Sequence, residues 1–371
     1  MVDFENISKF HIKEKKETEK EEGFEMLYET YHGSELMETL SVQRERNEKT
    51  TALFTDIDNT FYKAGKENAM AYLTEKAKEG NVPIIAVTGN DFNGVHKRIE
   101  SGELPHFQVI AGSVGTEIWV LHKSEDGKYE YKKDEYFEKL LTEGGFEREE
   151  LVKKSLDLIK ELSVKSPESR FDFQIPEIES AWLADKTAKC QSFKISFYFF
   201  ADRQSLEQIS KMAQEYFPSQ SVIICEEINY NSTLSPDEVV KKYCLDVLPI
   251  AKGDTVNYLS KLSDIQQGIV AGDSGNDVEM LLHSGSLNSV LVGGYKPEAE
   301  KYIGEALTVK KRGRRSFQKI VQPDGSIKAI YIEQEPGQHQ AAESIKRAAE
   351  ILLRAEKIKI IREKRQSLSK S

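Results

Sequence analysis

The sequence predicts an α/β fold, a parallel sheet with helices on both faces that carries an inserted α+β domain. Three observations predict it. From residue 50 onward, apolar runs of strand length alternate with helical segments; the alternation stops over residues 119–247; and it resumes near residue 248. Strands separated by helical crossovers belong to parallel sheets, and a block of different texture inside such a series reads as an insertion.

Taken in order, residues 1–49 are rich in Glu and Lys. There "GFEMLYETYHGSELMETL" has the makings of a helix and "IKEKKETEKEEG" reads as solvated, so the expectation is a flexible or helical extension. "TALFTDID" is the first strand, followed by the helix "ENAMAYLTEKAKEG" with Gly80 suited to its C-cap. The strand "VPIIAVTG", a helix around "FNGVHKRIES" and the strand "FQVIAGSVG" complete a β-α-β-α-β run. The insertion holds "DFQIPEIESAWLA", the aromatic strand "SFKISFYFF", the helix "DRQSLEQISKMAQEYF" and the strand "SVIICEE". The first rhythm returns with helix "GDTVNYLSKLSD", strand "GIVAG", helix "DVEMLLHSG" and strand "SVLVGG". The last candidate, "QAAESIKRAAEILLRAEKIKIIREKRQ", has an amphipathic first half expected to pack on the sheet and a basic, solvated end. The expected organisation is a Rossmann-like core of residues 50–118 and 248–352, a cap over 119–247, a charged extension over 1–49 and a basic helix end over 353–371. Junctions near 118 and 248 are expected to act as hinges that let the cap exclude bulk water.

The 371 residues suit two domains, with 39% hydrophobic and 31% charged side chains. A formal charge of −10 speaks against non-specific nucleic-acid binding, so any polyanion handled is expected to be small and held locally. Cys190, Cys225 and Cys244 show no metal spacing and read as free thiols in a reducing compartment. No segment has the roughly 20 apolar residues of a membrane span, and the N-terminus lacks the apolar core of a secretory signal. The expectation is a soluble, cytoplasmic protein without a transmembrane segment.

Polar clusters recur where the strands end, which is where open parallel sheets collect their ligands. Asp56-Ile57-Asp58-Asn59-Thr60 follows the first strand, Thr88-Gly89-Asn90-Asp91 the second, and "GDSGND" (272–277) the strand "GIVA", while Lys252-Gly253 opens the preceding helix. Each alone reads as a turn or a first-turn lysine; their recurrence at one end of the sheet does not. Magnesium takes hard oxygen ligands and keeps several waters, so Asp56 and Asp273, supported by Asp277, suffice to hold Mg2+. Asp56 is the candidate nucleophile for an aspartyl-phosphate, and Asp58, two residues on in an extended segment, the candidate acid and base. Lys252 and Thr88 offer charge and a hydroxyl to the transferring phosphoryl group. Asn59, Thr60, Gly89, Asn90, Ser274 and Asn276 of the same clusters are candidate substrate contacts.

In these four clusters the chain resembles the haloacid dehalogenase superfamily, with "DIDNT" as the first motif, Thr88 as the second, Lys252 as the third and "GDSGND" as the fourth. The resemblance implies Asp56 as nucleophile, Asp58 as acid/base and magnesium on Asp56, Asp273 and the backbone carbonyl of Asp58. With "GSVGTEI" and "FKISFYF", the chain is most similar to the sucrose-phosphate phosphatases of bacteria and plants. That implies a phosphatase for a small phosphorylated sugar, sucrose 6-phosphate-like, with Thr116, Glu117 and Lys194 near the sugar. Phe193 stands where a polar sugar contact is expected, and the N-terminal extension is foreign to the pattern. The alternatives are a phosphatase for a different glycosyl phosphate, and a catalytically silent sugar-phosphate-binding module expected to have lost one of Asp56, Asp58, Lys252 or Asp273. A mutase ranks lower, because the insertion follows the second motif.

Overall fold

The structure is a computed structural model and describes residues 17–165, 193–201, 203–226, 241–285, 287–306, 317–321, 327–333 and 340–352. Cys190, the segment "DFQIPEIESAWLA" and the basic end 353–371 lie outside them. The chain forms two compact units, residues 39–88 with 252–371 and residues 1–38 with 89–251.

The first of these units is built on the sheet that the apolar runs foretell. β1 (Thr51–Thr55) lies between β2 (Ile84–Val87) and β9 (Gln267–Gly272), and β10 (Asn288–Leu291) and β12 (Ile327–Ile332) continue it, all parallel. β11 (Phe317–Val321) closes that edge antiparallel. Ala52, Leu53, Phe54, Ile85, Ala86, Val87, Val270 and Ala271 are buried, as expected of strands covered on both faces. Helices Glu67–Glu79, Lys252–Leu262, Val278–His283 and Pro297–Ala306 connect the strands. Gly80 does cap the first of them, in a right-handed conformation open to any residue. The chain leaves β1 toward β2 on one side and β9 toward β10 on the other, so the strand order reverses at the carboxyl ends of β1 and β9.

The other unit is antiparallel. β3 (Val109–Gly112), β4 (Glu117–Lys123) and β5 (Tyr129–Lys133) form a meander. A second sheet has the order β6 (Ile195–Ala201), β8 (Lys241–Leu248), β7 (Ser221–Glu226). Helices Arg148–Lys165 and Arg203–Tyr216 pack on its apolar face, formed by Ile195, Phe197, Phe199, Leu245 and Val247. Lys194, Ser196, Cys244, Asp246 and Cys225 lie on the other side of the strands. The seam after Thr88 precedes the junction expected near 118. β3 pairs antiparallel with β4, so residues 109–123 form one hairpin.

The extension is helical over Glu17–Tyr31 and Glu35–Glu45, and from Thr30 onward it is tied to the chain that follows; residues 1–16, which hold the start of "IKEKKETEKEEG", lie outside the described residues. Tyr31 donates its hydroxyl to Asp134 Oδ2 (3.0 Å), His122 Nε2 lies 2.8 Å from the Thr30 carbonyl, and Leu36 and Leu40 are buried. The Gln43 amide accepts from Thr51 N at 2.6 Å and donates to Thr51 O at 3.0 Å. Among the described residues no helix is long and apolar enough to cross a membrane.

A buried lysine on β12 gives this fold a measurable pH signature. Burial pulls Lys328 down to about 7 from the ordinary 10.5, with Glu279 opposing. Its Nζ donates to Ser284 Oγ, and His283 and Glu279 are its titratable neighbours. Between those two values the unfolded chain holds a proton on this lysine that the folded chain lacks, so stability rises with pH across that window, by up to about 1.4 kcal/mol per pH unit. The cost is fully present below the folded value. Lys328→Met is therefore expected to be more stable than wild type near neutral pH, with the gain shrinking toward pH 10. Urea unfolding at a series of pH values measures it; a pH-independent difference means that Glu279 holds the lysine charged.

Candidate active site

The parallel sheet brings four of the nominated side chains together. Asp56 follows β1, its amide donating to Ala271 O of β9 at 3.0 Å; Asp273 follows β9; and Lys252 and Asp277 stand at helix starts. Lys252 is completely buried and donates to Asp56 Oδ1 and to Asp277 Oδ1, each at 2.7 Å. Asp277 spends its other oxygen on Asp273 N (3.0 Å), Ser274 N (3.1 Å) and Ser274 Oγ (3.1 Å). Asp273 Oδ1 accepts from Thr60 Oγ1 at 2.9 Å. Carboxylate oxygens of Asp56, Asp273 and Asp277 lie within 4.8 Å of one another.

Three buried carboxylates around one ammonium leave a formal charge of −2, which the interior resists. Burial, opposed by Lys252 and reinforced by Asp277 and Asp58, pushes Asp56 up to about 7. Burial, with Asp277 and Asp56, likewise holds Asp273 well above the usual carboxylate range, against Thr60 and Lys296. For Lys252 burial pulls down, but the carboxylates of Asp277 and Asp56 outweigh it and keep the ammonium protonated. A cluster of hard oxygen donors with excess negative charge fits a magnesium ion, and a second cation relieves what Lys252 alone leaves uncompensated.

The spacing of two does not set Asp58 beside Asp56 in the way a continuing strand would. The chain does not continue extended past Asp56. It turns, with Ile57 O accepting from Thr60, Phe61 and Tyr62 N–H groups, and Asn59 adopts a left-handed φ of 61°. Asp58 is half-buried in this turn, close enough to Asp56 to raise its pKa, and its side chain is not in the carboxylate group. Thr88 is buried at the end of β2. Thr60 is fully buried with its hydroxyl on Asp273, and Ser274 Oγ lies 2.6 Å from Asn276 Oδ1 within a capping box.

The remaining nominated residues meet in the other unit. Lys194 Nζ donates to Gly89 O at 3.3 Å and lies 3.8 Å from Asp246 Oδ2. Asp246 also accepts from Ser196 Oγ and Cys244 Sγ. Asn90 is exposed and its carbonyl accepts from Ser113 N at 2.8 Å. Thr116 and Glu117 are buried. Phe193 packs on Phe146 with ring centroids 5.8 Å apart, so an apolar residue is what this position needs.

Two supports escaped the sequence reading. Glu279 Oε2 accepts from Gly253 N at 2.6 Å and so fixes the backbone beside Lys252; a Cβ on Gly253 would stand 2.2 Å from that oxygen. Asp246 is the other, as the carboxylate facing Lys194. The only signal in the sequence is an acidic side chain inside an otherwise apolar strand or helix segment.

A family model described as sucrose-6F-phosphate phosphohydrolase matches residues 49–176 and 175–318, more than half of the chain. Kanosamine-6-phosphate phosphatase of Bacillus subtilis (strain 168) is 27% identical over 223 residues, which are 57% of this chain and 68% of that protein. The sucrose-phosphatase of Synechocystis sp. PCC6803, solved with sucrose and phosphate, is 19% identical, covering 81% of this chain and 96% of its own, with a TM-score of 0.49. A haloacid dehalogenase-like hydrolase of Bacillus subtilis is 24% identical, covering 71% of this chain and 91% of its own, with a TM-score of 0.38.

Proposed function

The chain belongs to the sucrose-6F-phosphate phosphohydrolase family and is a phosphatase of the haloacid dehalogenase superfamily, and from that premise we propose that it hydrolyses the phosphomonoester of a small phosphorylated sugar through Asp56. The observation that carries the reading is the buried Lys252 ammonium shared by Asp56 and Asp277, with Asp273 beside them. An ion pair of this kind orients one carboxylate oxygen of Asp56 on Lys252 and leaves the other for attack.

Asp56 attacks the phosphorus, the bond to the sugar oxygen breaks, and Asp58 delivers a proton to that leaving oxygen. A water then attacks the aspartyl-phosphate, Asp58 takes its proton, and inorganic phosphate leaves with Asp56 restored. Lys252 and Thr88 hold the phosphoryl oxygens, and Asp277 holds Lys252. Asp56 and Asp273, with the Asp58 carbonyl, are the residues that would bind magnesium, which when present offsets the charge of the transferring group. Lys194 and Asn90, together with residues of the cap expected over 119–247, are the proposed sugar contacts.

Sucrose 6-phosphate is the leading substrate. An amino-sugar phosphate is the second reading, favoured by the Asp246 carboxylate beside Lys194 and by the activity for which the Bacillus subtilis relative is named. Phosphate release is to be measured on sucrose 6-phosphate, glucose and fructose 6-phosphates, kanosamine 6-phosphate, trehalose 6-phosphate and glycosylglycerol phosphate, with magnesium and with EDTA. Magnesium-dependent turnover of one member is the expected result. Tight binding of a member with no turnover of any would instead mark a sugar-phosphate-binding module.

A further inference from the structure

The loop between β3 and β4 is strained, and a buried carboxylate holds it so. Ser113, Val114 and Gly115 have φ of 49°, 64° and 90°, three left-handed residues in a row. For a β-branched valine, here fully buried, that conformation is an outlier. Such backbone persists only where its surroundings over-determine it, and it gathers at ligand-handling segments.

Glu117 supplies that constraint with both of its oxygens. Oε1 accepts from Phe92 N and from Ser113 Oγ, each at 2.9 Å, and Oε2 from Trp119 Nε1 at 3.3 Å. The Phe92 ring stacks on that same indole at 4.0 Å. Gly112 belongs to the device, because a Cβ there would stand 2.8 Å from Glu117 Oε1 and 3.1 Å from Asn90 O. Thr116 is likewise spent inward, its hydroxyl donating to Ser113 O at 2.9 Å. The Ser113 N to Asn90 O bond and the bond from Phe92 N join this loop to the turn 89–92, which follows Thr88 in the chain and whose Gly89 carbonyl receives Lys194.

We propose that Glu117 is a positioning residue for sugar recognition: it touches no substrate but clamps the loop 113–116 to the turn 89–92, and so sets where Asn90 and Lys194 present themselves. This rests on the reading that Asn90 and Lys194 meet the sugar. Thr116 belongs to the same clamp. A carboxylate with both oxygens engaged by the protein has little left for a ligand.

The test compares full-length wild type, Glu117→Ala and Glu117→Gln with magnesium, on the best sugar phosphate of the panel and on p-nitrophenyl phosphate, which has no sugar. Amide hydrogen exchange over residues 109–121 is followed in parallel. In Glu117→Ala the KM for the sugar phosphate is expected to rise about tenfold or more with kcat within about threefold, and p-nitrophenyl phosphate turnover to stay near wild type. Exchange at 113–116 is expected to quicken. Glu117→Gln, whose amide oxygen still accepts from Phe92 N and Ser113 Oγ while its NH2 gives up the longer Trp119 Nε1 bond, is expected to recover much of the loss. A glutamine as damaging as alanine, with unchanged exchange, overturns the proposal in favour of a charged contact with the sugar. Equal loss on both substrates overturns it in favour of a general structural role. If wild type turns over p-nitrophenyl phosphate and no sugar phosphate, the substrate reading fails by itself, and unchanged exchange in Glu117→Ala then overturns the clamp as well.

Discussion

Asp56→Asn is expected to lower magnesium-dependent phosphate release by roughly 10⁴-fold or more while the protein stays folded, because the change removes the nucleophile and almost nothing else. The amide keeps the shape of the carboxyl and an oxygen for Lys252, which retains Asp277 at 2.7 Å. It also removes one of three carboxylates crowded around a single ammonium, so the unfolding midpoint should match or exceed that of wild type. Asp58→Asn separates the two roles. It keeps the nucleophile and loses the proton donor, with an expected loss of roughly 10²–10⁴-fold. Acid-quenched intact-mass spectrometry should then find phosphorylated protein in Asp58→Asn and none in Asp56→Asn. Phosphorylation in the Asp56 variant would place the nucleophile elsewhere.

Lys252→Met should abolish turnover and also unsettle the fold. The methionine matches the lysine stem in length, so packing changes little. What changes is charge: Asp56, Asp273 and Asp277 would share a buried space with no cation of their own. Removing one partner of a buried ion pair costs about 3–5 kcal/mol, because the other partner is left desolvated. Magnesium should restore more stability to this variant than it adds to wild type, since it replaces the missing positive charge. Denaturant unfolding with and without millimolar magnesium reads both effects. Unchanged stability without the metal would mean that the carboxylates fold protonated and that Lys252 is not their counter-charge.

How much of this was legible in the sequence depended on whether a segment's chemistry was local. β1, β2, β9 and β10 were readable because strands buried on both faces leave apolar runs, as in "TALFT" and "IIAV". β4 (EIWVLHK), β5 (YEYKK) and β8 (KKYCLDVL) were not, since antiparallel strands with one polar face mix charge into the run. Three of the four motifs placed Asp56, Lys252, Asp273 and Asp277 together, because strand ends and helix starts fix where a side chain can reach. Asp58 shows the limit of that logic: the spacing of two assumed a strand that in fact turns at Ile57. Glu279 shows another limit. Whether a polar atom is free for a ligand or spent on a backbone amide depends on partners distant in the chain, such as Phe92 for Glu117 and Gly253 for Glu279.

The Gln43 amide carries a last consequence. By accepting from Thr51 N and donating to Thr51 O, it stands in for a neighbouring strand at the first residue of β1. The family match begins at residue 49, yet the hydrogen bonding of β1 begins six residues earlier. What this chain shares with its relatives and what it needs in order to cohere therefore have different edges. The stretch that precedes the family match is masonry for the strand with which the match begins.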